Sequence, residues 1–69
     1  MIEVFKTNVN ENEQSTWLVQ KLLYHYPQWK INFDLEDCDN ILRIEGDNIS
    51  IEKIRRLLNS YGYECEVLI

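Results

Sequence analysis

The amino-acid sequence predicts an α+β domain whose elements follow the order β-α-β-β-α-β. Three observations carry that reading. Trp29, Ile31, Phe33 and Leu35 alternate with Lys30, Asn32, Asp34 and Glu36, the period of a strand with one buried and one wet face. Two stretches, Leu18 to Tyr26 and Ile51 to Tyr61, carry apolar residues at helical spacing, and each stops at a helix terminator, Pro27 and Gly62. Short alternating runs lie near both ends of the chain.

Taken in order, Ile2 and Val4 alternate with Glu3 and Phe5 in a first strand near residues 2–7. Val9 to Asn12 reads as loop, with Asn10 or Asn12 as the helix cap and Glu11 and Glu13 at the positive helix end. The first helix runs from about Glu13 to Tyr26, with Leu18, Val19, Leu22, Leu23 and Tyr26 as its apolar stripe. The strand at residues 29–36 follows, then a turn at Asp37 to Asn40. Leu42 and Ile44, alternating with Arg43 and Glu45, return as the second arm of a hairpin that breaks at Gly46 to Asn48. Ser50 reads as the cap of the second helix, with Ile49 and Ile54 as a hydrophobic staple. Ile51, Ile54, Leu57, Leu58 and Tyr61 form its buried stripe, and Gly62 sits where a left-handed C-terminal cap is wanted. Cys65, Val67 and Ile69 alternate with Glu64, Glu66 and Leu68 in a last strand.

This order is the ferredoxin-like split βαβ arrangement. Two right-handed crossovers place both helices on one face of a four-stranded antiparallel sheet of spatial order 4-1-3-2. Three connections then share one end: the loop from strand 1 to helix 1, the central hairpin turn, and the loop from helix 2 to strand 4. A site is expected there. The open sheet face is expected to carry Glu3, Phe5, Asn32, Ile41, Arg43, Glu66 and Leu68, of which Phe5, Ile41 and Leu68 form a modest apolar patch.

Composition narrows the function classes. A chain of 69 residues reads as one domain, with a small core that buries roughly 60% of its unfolded surface. It is 45% hydrophobic and 28% charged, the mix of a folded chain. Its apolar runs are too short to span a membrane, and MIEVFK lacks the basic-then-apolar pattern of a secretory signal, so a cytoplasmic setting is the expectation. The net charge is −5 and only Lys53, Arg55 and Arg56 cluster, which disfavours nucleic acid as a partner. Two cysteines, Cys38 and Cys65, are too few for a disulfide-built scaffold. No nucleophile–base pair, Gly-rich phosphate loop or metal motif is legible, and the first loop carries acids where an oxyanion would need a cation. The chain therefore reads as non-catalytic, with no cofactor.

The segment ISIEKIRRLLNSYGYECEVLI resembles the end of a heavy-metal-associated domain, the module of copper chaperones and metal-pumping ATPases, which closes on a helix, a Gly-Tyr or Gly-Phe pair (here Gly62-Tyr63) and an edge strand. PQWKINFDLEDCDNILRIEGD is similar to that family's central hairpin. The resemblance implies the ferredoxin-like fold over nearly the whole chain. It also implies a CxxC motif at the first loop, yet with Leu18 and Leu22 matched to the family's helix positions, the cysteine positions fall near Asn12 and Ser15. Amide and hydroxyl groups are poor ligands for a soft ion, so the family's metal ligands do not carry over.

Cys38 lies in the central hairpin turn and Cys65 at the start of the last strand; strands 2 and 4 are opposite edges of the sheet about 14 Å apart, too far for a disulfide or a shared metal within one chain. Cys65 reads as a buried small residue and Cys38 as an exposed thiol between Asp37 and Asp39. His25, in the last turn of helix 1, complements the helix C-terminus and lacks convergent ligands. Asp34, Glu36, Asp37 and Asp39 form an acidic hairpin, read first as a device against edge pairing and second as a docking patch or a weak hard-cation site. Trp17, Tyr24, Tyr26, Trp29, Phe33 and Tyr61 are expected mostly in the core, whereas the family resemblance implies a place for Tyr63 beside the first loop.

The expectation is a binding or interaction module of heavy-metal-associated type with a degenerate metal site. Its contact residues for a protein partner are Asn12, Ser15, Asp37, Asp39 and Tyr63, in a monomer or weak homodimer. The alternative is a soft-metal carrier, for copper or zinc, using Cys38 across a dimer or Cys65 beside Tyr63. A weaker third reading is a small-molecule regulatory domain that dimerises through its sheet.

Overall fold

A computed structural model describes residues 1–68 and shows the anticipated element order. The elements are β1 (Ile2–Thr7), α1 (Asn12–His25), β2 (Lys30–Asp34), β3 (Ile41–Glu45), α2 (Ile51–Ser60) and β4 (Cys65–Val67). The four strands form one antiparallel sheet of order β2-β3-β1-β4, so the fold is the ferredoxin-like βαββαβ arrangement. The expected continuation of the last strand to Ile69 lies outside the described residues.

The register fixes which side chains point inward. Phe5 lies between Leu42 on β3 and Val67 on β4, and Ile31 and Phe33 on β2 face Ile44 and Leu42. Phe5, Leu42 and Ile44 are fully buried, in one cluster with Leu22 of α1 and Ile54 and Leu58 of α2. The open-face expectation is corrected here: Phe5 belongs to the core, and Glu3 shares its side of β1. Residues two apart on a strand share a face, so Ile2, Val4 and Lys6 point outward instead. The outer apolar surface is thus Ile2, Val4, Ile41 and Leu68, interrupted by the Lys30–Glu45 and Arg43–Glu45 pairs at 4.0 Å.

Both helix termini that the sequence marks most clearly are built as marked. The Ser50 side chain accepts a hydrogen bond from the Lys53 amide, capping α2. At the other end Gly62 takes φ +91°, its amide donates to the Asn59 carbonyl, and the Tyr63 amide donates to the Leu58 carbonyl. That pair of bonds is a Schellman cap, and it turns the chain directly into β4. The start of α1 differs from expectation. Neither Asn10 nor Asn12 caps it; Glu11 holds the cap position without a side-chain bond, and Asn12 is the first helical residue.

The aromatic residues divide. Tyr26 and Trp29 stack with ring centroids 3.9 Å apart and planes 7° from parallel, against the core cluster, and the Trp29 indole N–H donates to the Asp47 carbonyl at 3.1 Å. Trp17 and Tyr24 are exposed rather than packed in the core; Trp17 meets Tyr61 edge-on and carries the Lys21 ammonium over its ring. Their spacing on α1 places them off the Leu18–Leu22 stripe, and that face has no sheet to cover it.

Candidate functional site

The three connections meet at one end, as the topology requires, and hydrogen bonds tie them together. The Thr7 amide donates to the Asp39 carbonyl at 3.1 Å, and the Thr7 hydroxyl donates to the Asn40 carbonyl, joining the end of β1 to the hairpin turn. The same hydroxyl accepts from the Val9 amide, so Val9, read from sequence as loop, is pulled into full burial. On the other side the Asn8 side-chain oxygen accepts from the Glu64 amide at 2.8 Å, joining the first loop to the α2–β4 connection. The corner is thus braced by Thr7 and Asn8, two residues the sequence did not single out. A threonine at the end of the first strand followed by asparagine is the signal that the sequence offers.

The anticipated contact residues fall in different places. Asp37 and Asp39 sit on the hairpin turn, where the Asp37 carboxylate accepts from the Asp39 amide and Asp39 lies 3.9 Å from the Lys6 ammonium. Tyr63 is half-buried against the core at the α2–β4 turn. Ser15 gives its hydroxyl to the Asn12 carbonyl at 2.8 Å, inside the helix. Asn12 lines a shallow groove with Glu13, Thr16, Trp17 and Gln20, whereas Ser15 lines another with Val19, Ile31 and Phe33 beside β2. Asn12 and Ser15 are therefore not joined to the hairpin or to Tyr63 by any hydrogen bond among the described residues.

The corner also borders a polar cavity of about 310 Å³, lined by Lys6, Thr7, Arg55, Asn59, Glu64, Cys65 and Glu66. Lys6, Arg55 and Asn59 were not anticipated; they arrive because β1, α2 and β4 converge there. Two cations and two carboxylates share the cavity, so it offers paired recognition groups of both signs.

The two sulfurs have different fates. Both are free thiols; Cys38 is exposed on the hairpin and Cys65 is buried at 3% exposure. Burial pushes the Cys65 thiol up to about 11, against a smaller opposing effect of the Arg55 charge and with a small further push from Glu66. A soft metal ion needs thiolate, and Cys65 holds its proton at neutral pH. Cys38 retains access, and its sulfur lies with a carboxylate oxygen of Asp37 and of Asp39 so that all three atoms are within 4.8 Å of one another.

No family model, curated protein or solved structure matches this chain. Its functional reading rests on the geometry of the corner. No helix among the described residues is long and apolar enough to cross a membrane.

Proposed function

We propose that the chain is a non-catalytic interaction module, of heavy-metal-associated type with a degenerate metal site, whose three-loop corner contacts a protein partner. The observation that carries this reading is the bracing of the corner: the Thr7–Asn40 and Asn8–Glu64 bonds hold three loops in one fixed surface. A surface ordered before it meets a partner loses less entropy on binding. The first loop supplies amide, hydroxyl and carboxylate oxygens only, and the nearest core sulfur, Cys65, is protonated and buried. Exposed Asp37 with Asp39 gives the surface an acidic side, suited to a basic partner.

The test is a titration of isotope-labelled protein with Cu(I) and with Zn(II), read by amide shifts. Tight one-to-one binding centred on residues 8–15 overturns the degenerate-site reading. Photo-crosslinkers placed at Asp37 and at Tyr63, with Asn32 on the outer sheet as control, test the contact surface in the native host. One recurrent partner captured from the corner positions and not from Asn32 is the expected result; equal capture from all three refutes it.

A second reading is favoured by the convergence of Asp37, Cys38 and Asp39: a soft-metal carrier in which two copies each donate a Cys38 thiolate. Under that reading Cys38→Ser abolishes metal binding and metal-dependent dimerisation together. Under the first it changes neither.

A further inference from the structure

The flank of α2 carries a feature whose lining residues are not those of the corner. Where α1 ends against the flank of α2, a groove of about 350 Å³ is lined by His25, Tyr26, Lys53, Arg56, Leu57 and Ser60. The α2 residues recur at steps of three and four, so they form one stripe of that helix. Tyr26 and Leu57 are half-buried and form an apolar floor; His25, Lys53 and Arg56 are exposed and form the rim. The groove begins at the end of α1 remote from the corner, since fourteen helical residues span about 21 Å, and it runs along α2 as far as Ser60.

We infer that this groove binds an acidic peptide segment that carries an apolar side chain between its carboxylates. Charge complementarity argues the occupant. The chain holds 7 Lys and Arg against 12 Asp and Glu, yet none of the six lining residues is acidic and two, Lys53 and Arg56, are basic. Lys53 has no ion-pair partner among the described residues. Glu52 is divided between Arg55 at 2.9 Å and Arg56 at 3.2 Å, and Arg56 remains exposed. The floor is pre-formed, because the Tyr26 ring is stacked on Trp29 and Trp29 is tied to Asp47. A rim with the basic side chains of Lys53 and Arg56 around a rigid apolar floor takes a carboxylate–apolar–carboxylate pattern and rejects a basic one. This site is independent of the corner, so the two proposals fail separately.

The experiment uses the whole chain, isotope-labelled, and the peptide acetyl-Glu-Glu-Leu-Glu-Glu-amide. Two controls replace every Glu by Lys, or the Leu by Gly. Saturable amide shifts confined to residues 25–26 and 53–60, weakened about tenfold or more by Lys53→Glu with Arg56→Glu, and by 0.5 M salt, are expected. The milder pair His25→Gln and Lys53→Gln keeps the Glu52–Arg56 contact and is expected to weaken binding in the same direction. The lysine peptide is expected not to bind, and the glycine peptide to bind more weakly. Absence of saturable shifts in the groove, equal binding of the lysine peptide, or shifts centred on the corner overturns the inference.

Discussion

Asn8 and Glu64 are joined by a hydrogen bond across 56 positions of sequence, the side-chain oxygen of one accepting from the backbone amide of the other at 2.8 Å. This single contact stitches the first loop to the turn that follows α2. Both residues are exposed, so the bond competes with water and contributes about 0.5–1.5 kcal/mol. Asn8→Ala is expected to lower stability by that amount in urea denaturation. It is also expected to speed hydrogen exchange at the Glu64 amide by more than at the core amides of Leu58 and Ile44, which track the global loss. Uniform exchange across the sheet would show that the corner is not braced by this bond.

The Thr7 hydroxyl bridges in the other direction, donating to Asn40 and accepting from Val9. Thr7→Val keeps the shape and removes both bonds, leaving the buried Val9 amide and the part-buried Asn40 carbonyl without these partners. The expected loss is about 1–3 kcal/mol in chemical denaturation. Thr7→Ser keeps the hydroxyl and is expected to recover most of it.

The two glycines are needed for different reasons, and substitution separates them. At Gly46 an added Cβ would lie 2.2 Å from the Trp29 ring, a clash with a stacked and hydrogen-bonded indole. Gly62 has open space around it but a φ of +91°, which an L side chain rarely adopts. Gly46→Ala is expected to cost about 1–3 kcal/mol and to lose most of that cost in a Trp29→Ala background. Gly62→Ala is expected to cost about 1 kcal/mol in either background. Thermal or urea unfolding of the four combinations checks both.

The fold was legible because its signals were local and agreed. The alternation at residues 29–36, the Ser50 cap and the Gly62 terminator each point to one architecture, and the strand order follows from connection rules. The face of β1 was less legible. Ile2, Val4 and Phe5 put apolar residues on both parities, so alternation alone does not choose. Long-range pairing of Phe5 with Leu42 and Val67 chooses, and it places Phe5 inside. The candidate site was legible as a place but not as a set of residues. Topology brought the loops together, whereas Thr7, Asn8, Lys6 and Arg55 enter through tertiary contacts that leave no periodic trace. Asn12 and Ser15 were selected by a family resemblance in the helix register, and the structure uses them within α1.

The contrast between the thiols supplies the last prediction. Cys38 is exposed and Cys65 is buried with its thiol pushed up to about 11 from the ordinary 9.0. In native protein at neutral pH, a maleimide is expected to modify one thiol per chain, at Cys38, and the second only after denaturation. The same shift sets a pH dependence. Between pH 9.0 and about 11 the unfolded chain releases a proton that the folded chain retains. Stability is therefore fully present below pH 9.0 and falls as pH rises through that window, by about 2 kcal/mol at the upper end. Other groups titrate in the same range, so the measurement is a difference: urea unfolding of the wild-type chain against Cys65→Ala at pH 8 and at pH 11. The wild-type chain is expected to lose about 2 kcal/mol more than the variant over this interval. Parallel losses in the two proteins, or prompt modification of Cys65 in the folded state, would show that the sulfur is not sealed in the core.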